Sequence, residues 1–147
     1  MRVLSLFDYS TYMLKPWFEA GHECIAIDSL FGMDIPNTLE PSKCWASENF
    51  DWDLSNPFVP ISLSFLKPDI VIGFPPCTDL AVSGAKHFEK KREADPLFQV
   101  KAVDVCRLTE TVGNLCKIPW MVENPVGVLS TMWRKPNWVF HPWEYGG

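Results

Sequence analysis

Two residues have the type and the setting for covalent chemistry, Cys77 and Glu123. Cys77 closes the stretch Asp69 to Cys77, DIVIGFPPC, whose residues Ile70, Val71, Ile72, Gly73 and Phe74 form an apolar run without polar alternation. Such a run suits a strand buried on both faces of a parallel sheet. Pro75 and Pro76 cannot continue the ladder hydrogen bonding, so the strand stops there. The thiol then falls just past the carboxyl end of a central strand, where open α/β sheets hold their ligands. On position alone it is either a nucleophile or a small buried hydrophobe. Pro119 to Val122, PWMV, reads as a second short strand that delivers Glu123-Asn124-Pro125 to the same edge. A thiol and a carboxyl are thereby expected across one crevice.

The elements that must hold this pair begin at the N-terminus. Arg2 to Phe7, RVLSLF, reads as a buried strand, and Asp8-Tyr9-Ser10-Thr11 as a turn. A short helix through Trp17, Phe18 and Ala20 follows. Pro16 fits only its first turn, and Gly21 closes it as a C′ glycine. Cys24 to Asp28 is the next strand, which completes a β-α-β unit of Rossmann type. An acid after the second strand of such a unit is placed to accept from the hydroxyls of an adenosine ribose, or is simply solvated; Asp28 has that position. With no GxGxxG after the first strand, a dinucleotide pyrophosphate is a poor fit.

Ser29 to Pro60 reads mostly as loop, with a short strand near Trp45 to Phe50. Glu48, Asp51 and Asp53 in it are candidates for an adenine amino group, against the alternative of a solvated acidic loop. Ile61 to Leu66 reads as a short crossover helix into the Asp69 strand. After Cys77 the expectation is a polar loop with a basic end, Lys86-His87-Phe88-Glu89-Lys90-Lys91-Arg92. That run is either a solvated face or a phosphate contact near the site. Asp95 and Pro96 are placed as N-cap and first residue of a long helix. Its apolar stripe is Phe98, Ala102, Val105, Leu108, Val112 and Leu115. Cys106 and Cys116 on it read as structural.

At 147 residues and 47% hydrophobic content the chain is expected to be one globular domain with its own core. Seven Trp and thirteen Pro point to long loops with aromatic anchors rather than a helical bundle. A net charge of −5 argues against a surface coated in positive charge, yet leaves room for a local basic cleft. Five cysteines without a CxxC pair suggest neither a disulfide framework nor a zinc site. No window has the length of a membrane span and the N-terminus lacks the form of a signal peptide, so a soluble, cytoplasmic protein is expected.

The motifs together resemble a known family. FPPC at Phe74 to Cys77 and ENP at Glu123 to Pro125 are similar to the two signature motifs of the DNA cytosine-5 methyltransferases. LSLFDYSTYMLKPWFEAGHECIAID resembles their S-adenosylmethionine-binding opening. PPCTDLAVSGAKHF and RKPNWVFHPWEYGG are similar to a short, bacteriophage-type branch. The resemblance implies a Rossmann-like S-adenosylmethionine-dependent methyltransferase fold with a mostly parallel sheet. It implies methylation of cytosine C5 in DNA through a cysteine adduct at C6, with Cys77 as nucleophile and Glu123 at the N3 edge. Phe7, Asp8, Asp28, Pro75 and one or both of Glu48 and Asp51 would lie at the cofactor. Thr78, Ser83, Lys86, Lys90, Lys91 and Arg92 would lie near the nucleic acid.

Where the family is rich in glycine after the first strand, this chain has Asp8-Tyr9-Ser10-Thr11, which brings side chains toward the methionine end of the cofactor. The family's later arginine motif, target recognition region, last cofactor segment and last two strands have no counterpart in these residues. The resemblance therefore implies a truncated chain, a minimal form working in a complex, or a protein that no longer methylates and only binds nucleic acid or cofactor. Action on RNA or a free nucleotide is a variant that needs no target recognition region. An incomplete sheet leaves an open edge, through which a homo-oligomer is expected.

Overall fold

The computed structural model describes residues 1–28, 56 and 58–145. Within them four strands form one sheet: β1 (Arg2–Leu6), β2 (Glu23–Ile27), β3 (Ile70–Gly73) and β4 (Trp120–Val122). The order is β2-β1-β3-β4 and every pairing is parallel, with Leu4 opposite both Ile25 and Val71, and Ile72 opposite Met121. This is an α/β architecture of Rossmann-like topology.

Both faces of the sheet are covered over β1, β2 and β3, which is why these strands read as continuous apolar runs, whereas Met121 of β4 is exposed. Leu4, Leu6, Ile25, Ile27 and Val71 point to one face, under Val59 and Leu63 of α2 (Phe58–Ser64) and Leu108 and Val112 of α4 (Phe98–Cys116). Val3, Cys24, Ala26 and Ile72 point to the other, under Leu14 and the rings of Trp17 and Phe18. Leu4, Leu6, Val71 and Val112 are wholly buried, each worth about 1.5–3 kcal/mol of hydrophobic transfer. The short helix α1 (Lys15–Glu19) carries Pro16 in its first turn, and it closes with Gly21 N–H to Phe18 O at 2.9 Å and His22 N–H to Trp17 O at 3.0 Å, the paired bonds of a Schellman end.

Several expectations need correction. The crossover helix spans Phe58–Ser64, not Ile61 to Leu66. Pro60 sits in its first turn, where a missing N–H does no harm. The stretch after Cys77 is not a polar loop: Val82–His87 is a 3-10 helix that runs directly into α3 (Phe88–Ala94). Asp95 does cap, with Oδ1 accepting from Leu97 N–H at 3.0 Å, but the first turn is 3-10-like and the α-helix begins at Phe98.

The buried face of α4 keeps Phe98, Leu108 and Val112 of the expected stripe but differs from it elsewhere. Val103, Cys106, Thr109 and Gly113 are buried, whereas Leu115 is 51% exposed. The cause is a close approach at Gly73. A Cβ there would stand 2.2 Å from Thr109 Oγ1, so Thr109 lies hard against the strand, beside Leu108 and Val112 of the same buried face. The predicted strand at Trp45 to Phe50 lies outside the described residues. Among the described residues no helix is long and apolar enough to cross a membrane.

Candidate active site

The chain leaves β1 toward β2 on one side and later returns to β3 on the other. The carboxyl ends of β1 and β3 therefore flank the point where the strand order reverses, the position of the ligand crevice in open α/β sheets. Phe7 and Asp8 follow β1 there, Asp28 follows β2, Pro75 and Cys77 follow β3, and Glu123 follows β4.

The β1 loop is tightly made. Phe7 donates its N–H to Ile27 O at 2.8 Å, and Asp8 clasps the turn with both oxygens. Oδ2 accepts from the Ser5 hydroxyl at 3.0 Å, and Oδ1 from Thr11 N–H at 3.0 Å. Phe7 and Thr11 both have left-handed backbone, φ 61° and 58°, a conformation that favours glycine and stores strain in other residues. The turn thus takes left-handed backbone at two positions without a glycine at either. Asp8 is buried, as is Asp28. Burial lifts the Asp8 carboxyl above its ordinary value and the charge of Asp28 adds to the lift, while bonds from Ser5, Thr11 and Ser10 act against it.

At β3, Phe74 donates to Leu6 O at 3.0 Å, the last bond of the ladder before Pro75 and Pro76 end it. Pro75 is buried, and Cys77 is half-buried at the start of a turn whose Leu80 and Ala81 N–H groups both bond Cys77 O, at 2.9 and 2.8 Å. Glu123 donates its N–H to Gly73 O at 3.0 Å, so its Cα is fixed beside the end of the Cys77 strand. Its carboxyl is half-buried, and burial alone raises it above the ordinary glutamate value. Asn124, to which no role was assigned from sequence, joins the two strand ends. Its Nδ2 donates to Pro75 O at 3.1 Å, while its buried Oδ1 has no hydrogen-bond partner among the described residues. The signal for it was its place beside Glu123.

The basic run divides in two. Thr78, Ser83, Lys86, Lys90 and Arg92 are exposed on the 3-10 helix, the turn before it and α3. Lys91 instead turns inward to an ion pair with Asp79, whose backbone carbonyl also accepts from Gln99 Nε2 at 3.2 Å. Lys91 is thus committed to holding α3 against the turn after Cys77. Glu48, Asp51 and Asp53 lie outside the described residues. Among the described residues no three His, Cys, Asp or Glu side chains stand together as metal ligands.

A thiol in this setting can add to an electron-poor carbon, and a carboxyl raised by burial can donate a hydrogen bond; both follow strands of the sheet whose β1 and β2 ends carry the buried Asp8 and Asp28. No protein-family model matches the chain, and no curated protein matches it.

Proposed function

We propose that the chain is a cytosine-C5 methyltransferase-type enzyme acting on DNA. The observation that carries this reading is the placement of Cys77 and Glu123 just past the ends of adjacent parallel strands, with their backbones tied through Gly73 O and through Asn124 to Pro75 O. Cytosine C5 is too poor a nucleophile to take a methyl group unaided. The Cys77 thiolate adds to C6 and moves electron density to C5. Glu123, lifted by burial and so more readily protonated, donates a hydrogen bond at ring N3 and stabilises the charge developing there. Once C5 carries the methyl group, loss of its proton to a base expels the Cys77 sulfur as thiolate and restores the aromatic ring. In a duplex the base must first leave the stack, and Thr78, Ser83, Lys86, Lys90 and Arg92 present exposed polar and cationic groups for the backbone.

The residues at the reversal point fit S-adenosylmethionine by their chemistry. Asp28 is an acceptor suited to ribose hydroxyls, and the paired buried charges of Asp8 and Asp28 favour a cationic ligand over a pyrophosphate. When bound, that cofactor supplies an electrophilic methyl group on sulfur; Phe7, Asp8, Asp28 and Pro75 would hold it. The sheet has its β2 and β4 edges unpaired among the described residues, and self-association through the β4 edge belongs to this reading.

One observation favours a second reading, binding without catalysis. The β1 loop has non-glycine residues, Phe7 and Thr11, at its two left-handed positions, so side chains stand where a glycine would leave open backbone. One experiment separates the two. DNA carrying 5-fluorocytosine cannot release its C5 substituent as a proton, so turnover stops at the adduct. Incubation with labelled S-adenosylmethionine is expected to give a stable protein–DNA species that Cys77→Ser abolishes. Cofactor and DNA binding without adduct establish the binding-only reading.

A further inference from the structure

The turn after Cys77 and the segment after Glu123 are fastened together. Val82 donates its N–H to Val126 O at 3.0 Å, and Val128 donates to Leu80 O at 2.9 Å. Between these bonds Ala81 and Gly127 form an isolated antiparallel bridge. With the bond from Asn124 to Pro75, three hydrogen bonds thus run from residues 75–82 to residues 124–128. The bridge is anchored from below. Leu80 is wholly buried against Val103 and Cys106 of α4, where Val122, Val128 and Leu129 of α5 (Leu129–Met132) also pack.

Gly127 is what permits the bridge. A Cβ at this position would stand 1.9 Å from Leu80 O, 2.7 Å from Leu80 C and 2.9 Å from Ala81 Cα. All three are backbone atoms in a buried turn, so none can rotate away. Any side chain at 127 must push the segment after Glu123 off the turn that follows Cys77.

We propose that Gly127 is a positioning residue, and that the bridge it permits holds the Cys77 thiol and the Glu123 carboxyl as one rigid unit. The proposal rests on the methyltransferase reading for its catalytic consequence, but the mechanical latch stands apart from it. The turn carrying Cys77 then does not swing as an independent lid: it moves only with the Glu123 segment.

Two variants loosen the latch by different routes. Gly127→Ala forces the segments apart. Val82→Pro deletes only the N–H that bonds Val126. Val82 opens a 3-10 helix and follows Ala81, whose backbone is extended (φ −76°, ψ 147°), a setting that accepts proline. Val82→Pro decides the matter if Gly127→Ala fails to fold. Iodoacetamide labelling with peptide-resolved mass spectrometry reads each thiol separately.

The expected result is a selective rise of about tenfold in the labelling rate of Cys77, the scale of losing one net hydrogen bond from a local closure. Cys116, on the far end of α4, keeps its wild-type rate. In the 5-fluorocytosine reaction the adduct rate falls by about 100-fold for Gly127→Ala, the scale of a misplacement near 1 Å. No selective rise at Cys77 overturns the latch. A selective rise without a slower adduct, in a wild type that forms one, overturns its positioning role. If the wild type forms no adduct, the methyltransferase reading fails and labelling alone still decides the latch.

Discussion

Burial raises the Glu123 carboxyl from its ordinary 4.5, so its protonated form persists to higher pH than that of an exposed glutamate. If that form donates to cytosine N3, adduct formation falls as pH rises through the raised value. Glu123→Gln keeps an N–H donor but cannot yield a proton. We expect it to slow the adduct by about 100-fold, within the usual range for general acid–base groups, and to flatten this limb of the pH–rate profile. An unchanged profile in Glu123→Gln assigns the limb to another group. Asp8 carries a related consequence for stability. Its folded-state pKa lies above the ordinary 3.8, so between those values the folded chain holds more proton than the unfolded one. Stability therefore declines as pH rises through that window, and the decline is complete above it. Asp8→Asn retains an acceptor for Thr11 N–H while removing the charge. Urea midpoints on both sides of the window are expected to converge in this variant, and a wild-type slope retained in it would show that another acid is responsible.

The helices and strands meet the site through close contacts between small residues, and one of these carries a defect. Thr109 Oγ1 is fully buried against Gly73 and has no hydrogen-bond partner among the described residues. Thr109→Val replaces the unpaired hydroxyl with a methyl of similar size, so removing an unmet desolvation cost is expected to stabilise the fold by about 1 kcal/mol. Denaturant titration tests this, and a loss of stability would reveal a partner for the hydroxyl. The same contact explains what the sequence could and could not disclose. The strands were legible because a sheet covered on both faces leaves continuous apolar runs, and Pro75-Pro76 and Pro125 mark where two of them end. The face of α4 was legible in part, through Phe98, Leu108 and Val112. Apolar periodicity also selects Leu115, which is exposed, and passes over Thr109 and Gly113, which come close to Gly73 and Trp120. The site followed the same division. Cys77, Glu123 and Asp28 are found from strand ends, which are local. Asn124, Gly127 and the inward turn of Lys91 depend on contacts between segments far apart in the chain, which no local pattern encodes.

At the scale of the whole molecule, the proposed function asks an acidic chain to meet a polyanion through a small surface. The net charge is −5, so attraction to DNA has to come from local cations, here Lys86, Lys90 and Arg92 on the exposed side of the 3-10 helix and α3. Lys91, in the same run, spends its charge on Asp79. In the proposed function Lys90 is thus left for phosphate contact while Lys91 gives internal support, although they are neighbours in sequence. Lys90→Ala is expected to weaken binding evenly across DNA sequences and to lower the slope of log K against log salt by about 1. Lys91→Ala is expected to leave that slope nearly unchanged. Its effect falls instead on the turn after Cys77, seen as faster labelling of that thiol, because the Asp79 tether to α3 is gone. Binding isotherms over a salt series, run on both variants with thiol labelling in parallel, check the pair. Equal slopes for the two variants would place Lys91 on the DNA as well, and would mean that its ion pair with Asp79 opens when the nucleic acid arrives.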